Sequence, residues 1–341
     1  MKFEDYILAS ALPEINDFKI LKKNKALNLK FAEHPQPLKG LSQGFFNRLK
    51  KLNLEELAKC FSKAKIYKLL RFDDKDYPEI LKTISDPPVY LFIWGDAKIL
   101  GQTALAFVGS RRATSYGRKV VYNLILNLNF PWVVVSGLAM GVDGFSHRAA
   151  LEADKKTIGV LGSGFFNFYP YINEKLAGEI VENGGAVISE YPPHFKPAQY
   201  FFPARNRIIA GLSQAVVVVE AAKQSGSLIT ASQAAKNGRD VLTVPNEIFS
   251  LTSEGCFFLI RQGVKPIFNA SDLEEDYEHL FPKVKTAKKQ EPIFEYLATP
   301  KHIDEIAKFF KKSSAEILSW LAQMEIDGKI KNLGSGFYQA K

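Results

Sequence analysis

Between residues 102 and 270 the chain alternates short apolar runs with stretches long enough for one helix each. The runs fall at 104–108, 132–135, 157–161, 186–189, 215–219 and 240–244, and several are almost unbroken, as in "AVVVVE" at 215–220. Strands buried on both faces have this composition. Their alternation with helices predicts an α/β fold built on a doubly wound parallel sheet, with helices covering both sides.

The flanks have other patterns. Residues 1–72 read as a small helical domain. "GLSQGFFNRLKKLNLEELAKCF" (40–61) places apolar residues at helical spacing with lysines between them, as either a small helical hairpin or a plain helical cap. In "DKDYPEILKTISDPPVYLFIWGD" (74–96), Pro87-Pro88 forces extended backbone and the aromatic run after it reads as a strand. Residues 73–270 form the expected sheet domain, and 271–292, charged and proline-marked, the expected linker. In 293–341, two short amphipathic helices precede "KIKNLGSGFYQ", read as two strands around a Gly-Ser-Gly turn, which is a winged-helix-like pattern.

Composition narrows the function classes. No apolar run approaches the ~20 residues that span a membrane. "MKFEDYILAS" has acids where an export signal carries positive charge. Cys60 and Cys256 have no CxxC neighbour, which argues against a zinc site or disulfide framework and fits a reducing cytoplasm. The net charge is +9, and residues 1–75 hold sixteen Lys and Arg against nine Asp and Glu. This surplus suits nucleic acid, or a lysine-rich solubilising surface; charge alone fits both.

Ligands of open parallel sheets bind at the carboxyl ends of the strands. Gly109-Ser110-Arg111-Arg112 follow the first run, Ser136-Gly137 the second, Gly162-Ser163-Gly164 the third, and Lys223, Ser225 and Gly226 the fifth. A lone Gly-Ser after a strand is commonly just a turn. Four small-residue loops on one edge, one with two arginines, predict a phosphate cradle of backbone amides, hydroxyls and guanidinium. Arg111 is the expected ligand, with Arg112 open to a structural salt bridge. In "HFKPAQYFFPARNRIIAGLS" (194–213), Lys196, Arg205, Asn206 and Arg207 lie among Phe195, Tyr200, Phe201 and Phe202, a mixture suited to single-stranded nucleic acid. Phe201 and Phe202 serve equally well as core or as stacking platform, and one of the two arginines could be structural.

These segments resemble the DNA processing protein A (Smf) family. The resemblance is carried by "DYPEILKTISDPP", "FVGSRRATSYGR", "SGLAMGVDGFSHRAAL", "GVLGSGFFNFYPYIN", "ISEYPP", "FFPARNRIIAGLS" and "VVVVEAAKQSGSLITASQAAKNGRDVLTVPN", across about residues 74–270. It implies an extended Rossmann fold, no catalytic activity and no cofactor. It also implies a dimer that binds single-stranded DNA, protects incoming strands and loads the RecA recombinase during natural transformation. The family's Gly-Ser-Arg phosphate motif falls on Gly109, Ser110 and Arg111, and a basic DNA contact on Lys196. Two departures stand out. Where the family has a Gly-Thr-Asn-x-Leu-Ile run, this chain reads "EGCFFLIRQGV" (254–264), with Cys256 and Phe257 for the polar pair. The tail helix expected over Ser313–Asp327 carries Glu316, Glu325 and Asp327 but no Lys or Arg, so it would repel phosphates and suits protein contact or self-assembly.

Rival readings are weaker. A Rossmann-type nucleotide-processing enzyme, similar to the phosphoribohydrolases, needs a carboxylate beside its glycine-rich loop. "KQSGSLITASQAA" has none, leaving scattered Asp143 and Glu220. A dinucleotide oxidoreductase needs GxGxxG after the first strand, which here leads to GSRR. His34, His147, His194, His279 and His302 show no metal-ligand spacing, so no metal is expected, and His147 reads as a structural hydrogen-bonding group. The apolar stretch 244–263 is a candidate dimer surface or buried core.

Overall fold

The computed structural model describes residues 1–281 apart from residue 13, and then residues 293, 296–310, 312–326 and 329–340. The chain divides into two compact units, Met1–Leu280 and Phe281–Lys341.

The first unit is built on nine strands: β1 Lys68–Arg71, β2 Tyr90–Gly95, β3 Ala104–Val108, β4 Val133–Ser136, β5 Thr157–Leu161, β6 Ala186–Ser189, β7 Ala215–Val218, β8 Asp240–Thr243 and β9 Lys265–Pro266. They form one sheet in the order β1-β2-β6-β5-β4-β3-β7-β8-β9. Strands β6 to β9 along that order pair in parallel. The β1–β2 and β2–β6 pairs are antiparallel, so the sheet is mixed rather than wholly parallel. Four residues are too few for β1 to show a period, which is why it is hidden in a stretch that reads as helical.

Side chains on successive strand residues point to opposite faces. On one face Ala104, Ala106, Val108, Val133, Val135, Val216 and Val218 pack with Ile208, Ile209, Ala231 and Ala234 of the helices Phe201–Gly211 and Gly226–Lys236. On the other, Phe92 and Val187 share a core with Tyr6, Phe18, Leu21, Phe45 and Leu57. The helices Phe3–Ser10, Ile15–Lys23, Gln43–Lys50 and Leu54–Ala64 supply the latter group, and Leu29–Glu33 adds Phe31. The 40–61 stretch is thus two helices, because Ser42 accepts from Phe45 N and Asn53 from Glu55 N and Glu56 N as separate N-caps.

From β3 the chain steps outward through β4, β5 and β6. The helix Phe201–Gly211 then carries it back beside β3 as β7. The winding direction reverses between β3 and β7, and a crevice opens there beyond the strand ends.

The start of the expected linker is ordered. The helix Ala270–Glu274 leads into a 3₁₀ turn, Glu275–Leu280, with Leu273 and Tyr277 buried. Glu274 accepts from Asn129 N and Phe130 N at 2.7 and 2.8 Å. Residues 282–292 of that linker lie outside the described residues.

The second unit has helices Ile303–Phe310 and Ser314–Ile326 and a three-stranded antiparallel sheet. Its strands are β10 Lys301–His302, β11 Ile330–Gly334 and β12 Phe337–Ala340, in the order β10-β12-β11. The expected hairpin therefore gains a third strand. Ile293, Leu297, Ile306, Ile317, Leu321, Met324, Ile330 and Tyr338 make its core. Among the described residues no helix is long and apolar enough to cross a membrane.

Candidate functional site

A cleft of about 620 Å³ occupies the crevice between β3 and β7. Of the residues expected at the site, Gly109, Ser110, Arg111, Arg205, Asn206, Ser225 and Gly226 line it. Arg112, Ser136, Gly162, Ser163, Lys196, Arg207 and Lys223 do not, and Gly137 lines only a small notch beside it.

The β3 side is fixed by a buried carboxylate. Thr114 caps the helix Ser115–Leu126 by accepting from Gly117 N. Its hydroxyl donates to Glu220 Oε1 at 2.5 Å and its N–H to Oε2 at 2.9 Å. Glu220 sits fully buried past the end of β7, where a carboxylate complements the helix N-terminus. A Cβ on Gly117 would stand 2.4 Å from Oε2, so a side chain has no room there. The loop held this way presents Ser110, whose Oγ accepts from Arg112 N at 3.1 Å, and Arg111. Arg111 is exposed and makes no ion pair among the described residues. Its guanidinium lies 5.4 Å from the centre of the Phe202 ring.

The β7 side supplies a helix end. Ser225 caps Gly226–Lys236, with its Oγ accepting from Ser227 N at 3.3 Å. Asn206 Nδ2 donates to Gly226 O at 3.3 Å, which makes Asn206 a brace for this turn. Nothing stands within 4 Å of a Cβ placed on Gly226, so the positive end of the helix opens onto the cleft.

The β4 and β5 loops differ from expectation. Gly137 N and Ala139 N donate to Asp143 Oδ2 at 3.1 and 3.4 Å, so these amides already hold the protein's own oxyanion. A Cβ on Gly137 would lie 2.5 Å from Asp143 Oδ2 and 2.7 Å from Arg205 Nη2. Ser136 is buried and donates to Phe107 O at 2.6 Å, and Ser163 is buried beneath the surface. The Cβ position of Gly162 is 2.7 Å from the Phe202 ring, so this glycine admits the ring. Ser136, Gly137 and Gly162 are therefore engaged inside the protein and Ser163 is buried, which leaves the β3 and β7 loops as the ones that open onto the cleft.

The two arginines of the RNR run are both internally engaged. Arg205 is 4% exposed, with Nη1 donating to Gly137 O at 2.6 Å and also to Val160 O. Burial lowers its pKa to about 10, opposed by Asp143, and burial raises the Asp143 carboxyl above the usual range. Arg207 points into a separate cleft and is gripped by Glu190 at 2.6 and 3.0 Å and by Asp86 at 2.9 Å. Two carboxylates more than offset its single positive charge, so Arg207 is an internally paired group rather than a free cation. Lys196, Lys223 and Arg112 are exposed and have no ion pair among the described residues.

The aromatic ambiguity resolves by helix geometry, since neighbouring helical residues face about 100° apart. Phe201 is core, stacked 3.8 Å from Tyr191, whereas Phe202 lines the cleft. Tyr169, not singled out from the sequence, also lines it, with its ring 5.6 Å from Phe202. Its aromatic-rich run "FFNFYPY" was the available signal. The rival enzyme's acids, Asp143 and Glu220, are both held by backbone amides. His147 bonds through Nδ1 to Thr157 Oγ1 at 2.7 Å.

The sequence model of DNA recombination-mediator protein A matches residues 68–278. DNA processing protein DprA of Bacillus subtilis is 45% identical over 204 residues, 59% of this chain and 68% of that protein. Protein Smf of Escherichia coli is 33% identical over 302 residues, 84% of this chain and 81% of that protein. The crystal structure of DprA from Streptococcus pneumoniae superposes with a TM-score of 0.70 at 35% identity, covering 80% of this chain and 97% of that one. The structure of DprA from Helicobacter pylori, which concerns that protein's single-stranded DNA binding mode, gives 0.57 at 30% identity, covering 63% and 97%. From its sequence and its fold alike, the chain belongs to the DNA recombination-mediator protein A family.

Proposed function

We propose that the cleft between β3 and β7 binds single-stranded DNA through its phosphates. The observation that carries this reading is the pairing of an unneutralised guanidinium, Arg111, with an open helix N-terminus at Gly226, both on one cleft. Both favour an oxyanion, and among the described residues no carboxylate pairs with either. Ser110 adds a hydroxyl, and Phe202, beneath Arg111, offers a ring to a base. Gly109 and Ser225 shape the loops, while exposed Lys196 and Lys223 extend the positive field past the cleft. Stacking and phosphate contacts accept any base, so little sequence preference follows.

Family membership supports the wider role: a cytoplasmic recombination mediator that protects incoming DNA and hands it to the RecA recombinase during natural transformation. The helical N-terminal region expected over 1–72 gives its last residues, Lys68–Arg71, to the sheet and belongs with the extended Rossmann-like DNA-binding region in the one unit Met1–Leu280, and we assign 293–341, within the second unit, as a winged-helix-like domain. We assign the tail to protein contact, because Glu316 and Glu325 are exposed on a helix without Lys or Arg; Asp327 lies outside the described residues. The 244–263 stretch buries Cys256 but exposes Ile248, Phe249, Leu251 and Phe258, an apolar set suited to a dimer surface.

Fluorescence anisotropy with a labelled oligo-dT and a duplex of equal length tests the DNA reading. The single strand is expected to bind at least about tenfold tighter, since a duplex cannot offer its bases to Phe202. Equal affinities, or none, would overturn it.

A further inference from the structure

The turn 164–173 presents large side chains to water next to the cleft. Phe166, Tyr169, Tyr171 and Ile172 are 38, 46, 79 and 70% exposed. Its backbone is nevertheless tied down at both ends. Phe166 N donates to Pro193 O at 2.8 Å and Asn167 Nδ2 to His194 O at 2.9 Å. At the other end Asn173, 3% exposed, donates from Nδ2 to Leu138 O and Ala139 O, both at 2.9 Å. Phe165 adds to the anchor at the first end, its ring 4.5 Å from Tyr67. Exposed rings on a braced turn are preorganised for contact, because little conformational freedom is left to lose on binding.

We infer that this turn is a second base-stacking platform, on which the strand continues from the cleft over Tyr169 and then Tyr171. The inference rests on the single-stranded DNA reading of the cleft and extends its footprint. Continuity favours this occupant: Tyr169 lines the cleft and its ring meets Phe202, which Arg111 covers. Charge favours it too. Beyond Tyr171, exposed Arg148 and the anchor Asn173 flank Gly144, with Arg148 Nη1 and Asn173 Nδ2 at 3.1 and 3.5 Å from its Cβ position. Arg148 makes no ion pair among the described residues, and exposed Lys196 rides on the loop that braces the turn's other end. Rings with cations at both margins match bases joined by phosphates better than they match an apolar protein surface.

Affinities of Tyr171→Ala, Tyr171→Phe, Tyr169→Ala and Arg111→Ala for a twenty-residue oligo-dT, and for an abasic strand of that length, test the inference. Each Tyr→Ala change is expected to weaken oligo-dT binding at least about fivefold without altering its salt dependence. Tyr171→Phe should retain affinity, and the abasic strand should not distinguish the Tyr variants from the parent. If Tyr169→Ala and Tyr171→Ala bind oligo-dT like the parent while Arg111→Ala is weakened, the platform is overturned and the cleft reading stands. Tyr variants that weaken the abasic strand equally would also overturn it, because stacking needs a base. Weakening by the Tyr variants with none by Arg111→Ala would overturn the cleft reading and with it a strand that continues from the cleft onto the turn.

Discussion

At the scale of single residues, the distinction that matters is between cations whose charge is used inside the protein and those left free. Sequence displays Arg111, Arg205 and Arg207 alike. Their fates are decided by Asp143, Glu190 and Asp86, whose approach is a tertiary event that no local pattern announces. Arg207→Ala would leave Glu190 without its partner and is expected to cost on the order of 3 kcal/mol in urea unfolding, with no change in the salt dependence of DNA binding. His147 makes a second residue-scale prediction. Thr157 spends its hydroxyl proton on Val134 O, so His147 donates from Nδ1, and buried Nε2 has no partner among the described residues to receive a second proton. Burial lowers its pKa from 6.5 to about 3. Below the unfolded value the unfolded chain takes up a proton that the fold refuses, so stability falls as pH drops through that window by about 1.4 kcal/mol per unit. Urea midpoints at neutral and mildly acidic pH should show this loss, and His147→Gln should flatten it. Asp143, raised by burial, acts in the opposite sense in the carboxylate range, which makes the His147 variant the necessary control.

At the scale of elements, periodicity made β3 to β8 legible to within a residue at each end, because strands buried on both faces are written as unbroken apolar runs. It missed β1 and β9, four and two residues long, whose place is set by their neighbours. The loops were half legible. Glycine after a strand signals a close approach, but not to what. At Gly226 the approach is open to a ligand; at Gly137 and Gly117 it is to the protein's own Asp143 and Glu220. Thr114 shows how such an internal pairing supports the site, since one hydroxyl both caps a helix and holds Glu220 under the Arg111 loop. Thr114→Ala should lower stability by about 1–2 kcal/mol and weaken oligo-dT binding while leaving its salt slope unchanged, because Arg111 is loosened but not lost. Chemical denaturation and anisotropy on the same sample check both halves.

At the scale of the whole molecule, every group of the proposed DNA site belongs to the unit Met1–Leu280. A chain ending at residue 280 should therefore keep its oligo-dT affinity within about twofold, since an acidic tail helix adds no phosphate contact; loss of most of the affinity would move the site to the tail. The central claim is that Arg111 and the helix end at Gly226 hold phosphates in the β3–β7 cleft. It is tested most directly by the salt dependence of oligo-dT affinity for the parent chain and for Arg111→Ala. Log affinity should fall linearly with log salt, by about 0.7 for each phosphate neutralised, and Arg111→Ala should bind more weakly with a slope shallower by about one such contact. An affinity indifferent to salt, or an Arg111→Ala line that overlies the parent's, would contradict the account.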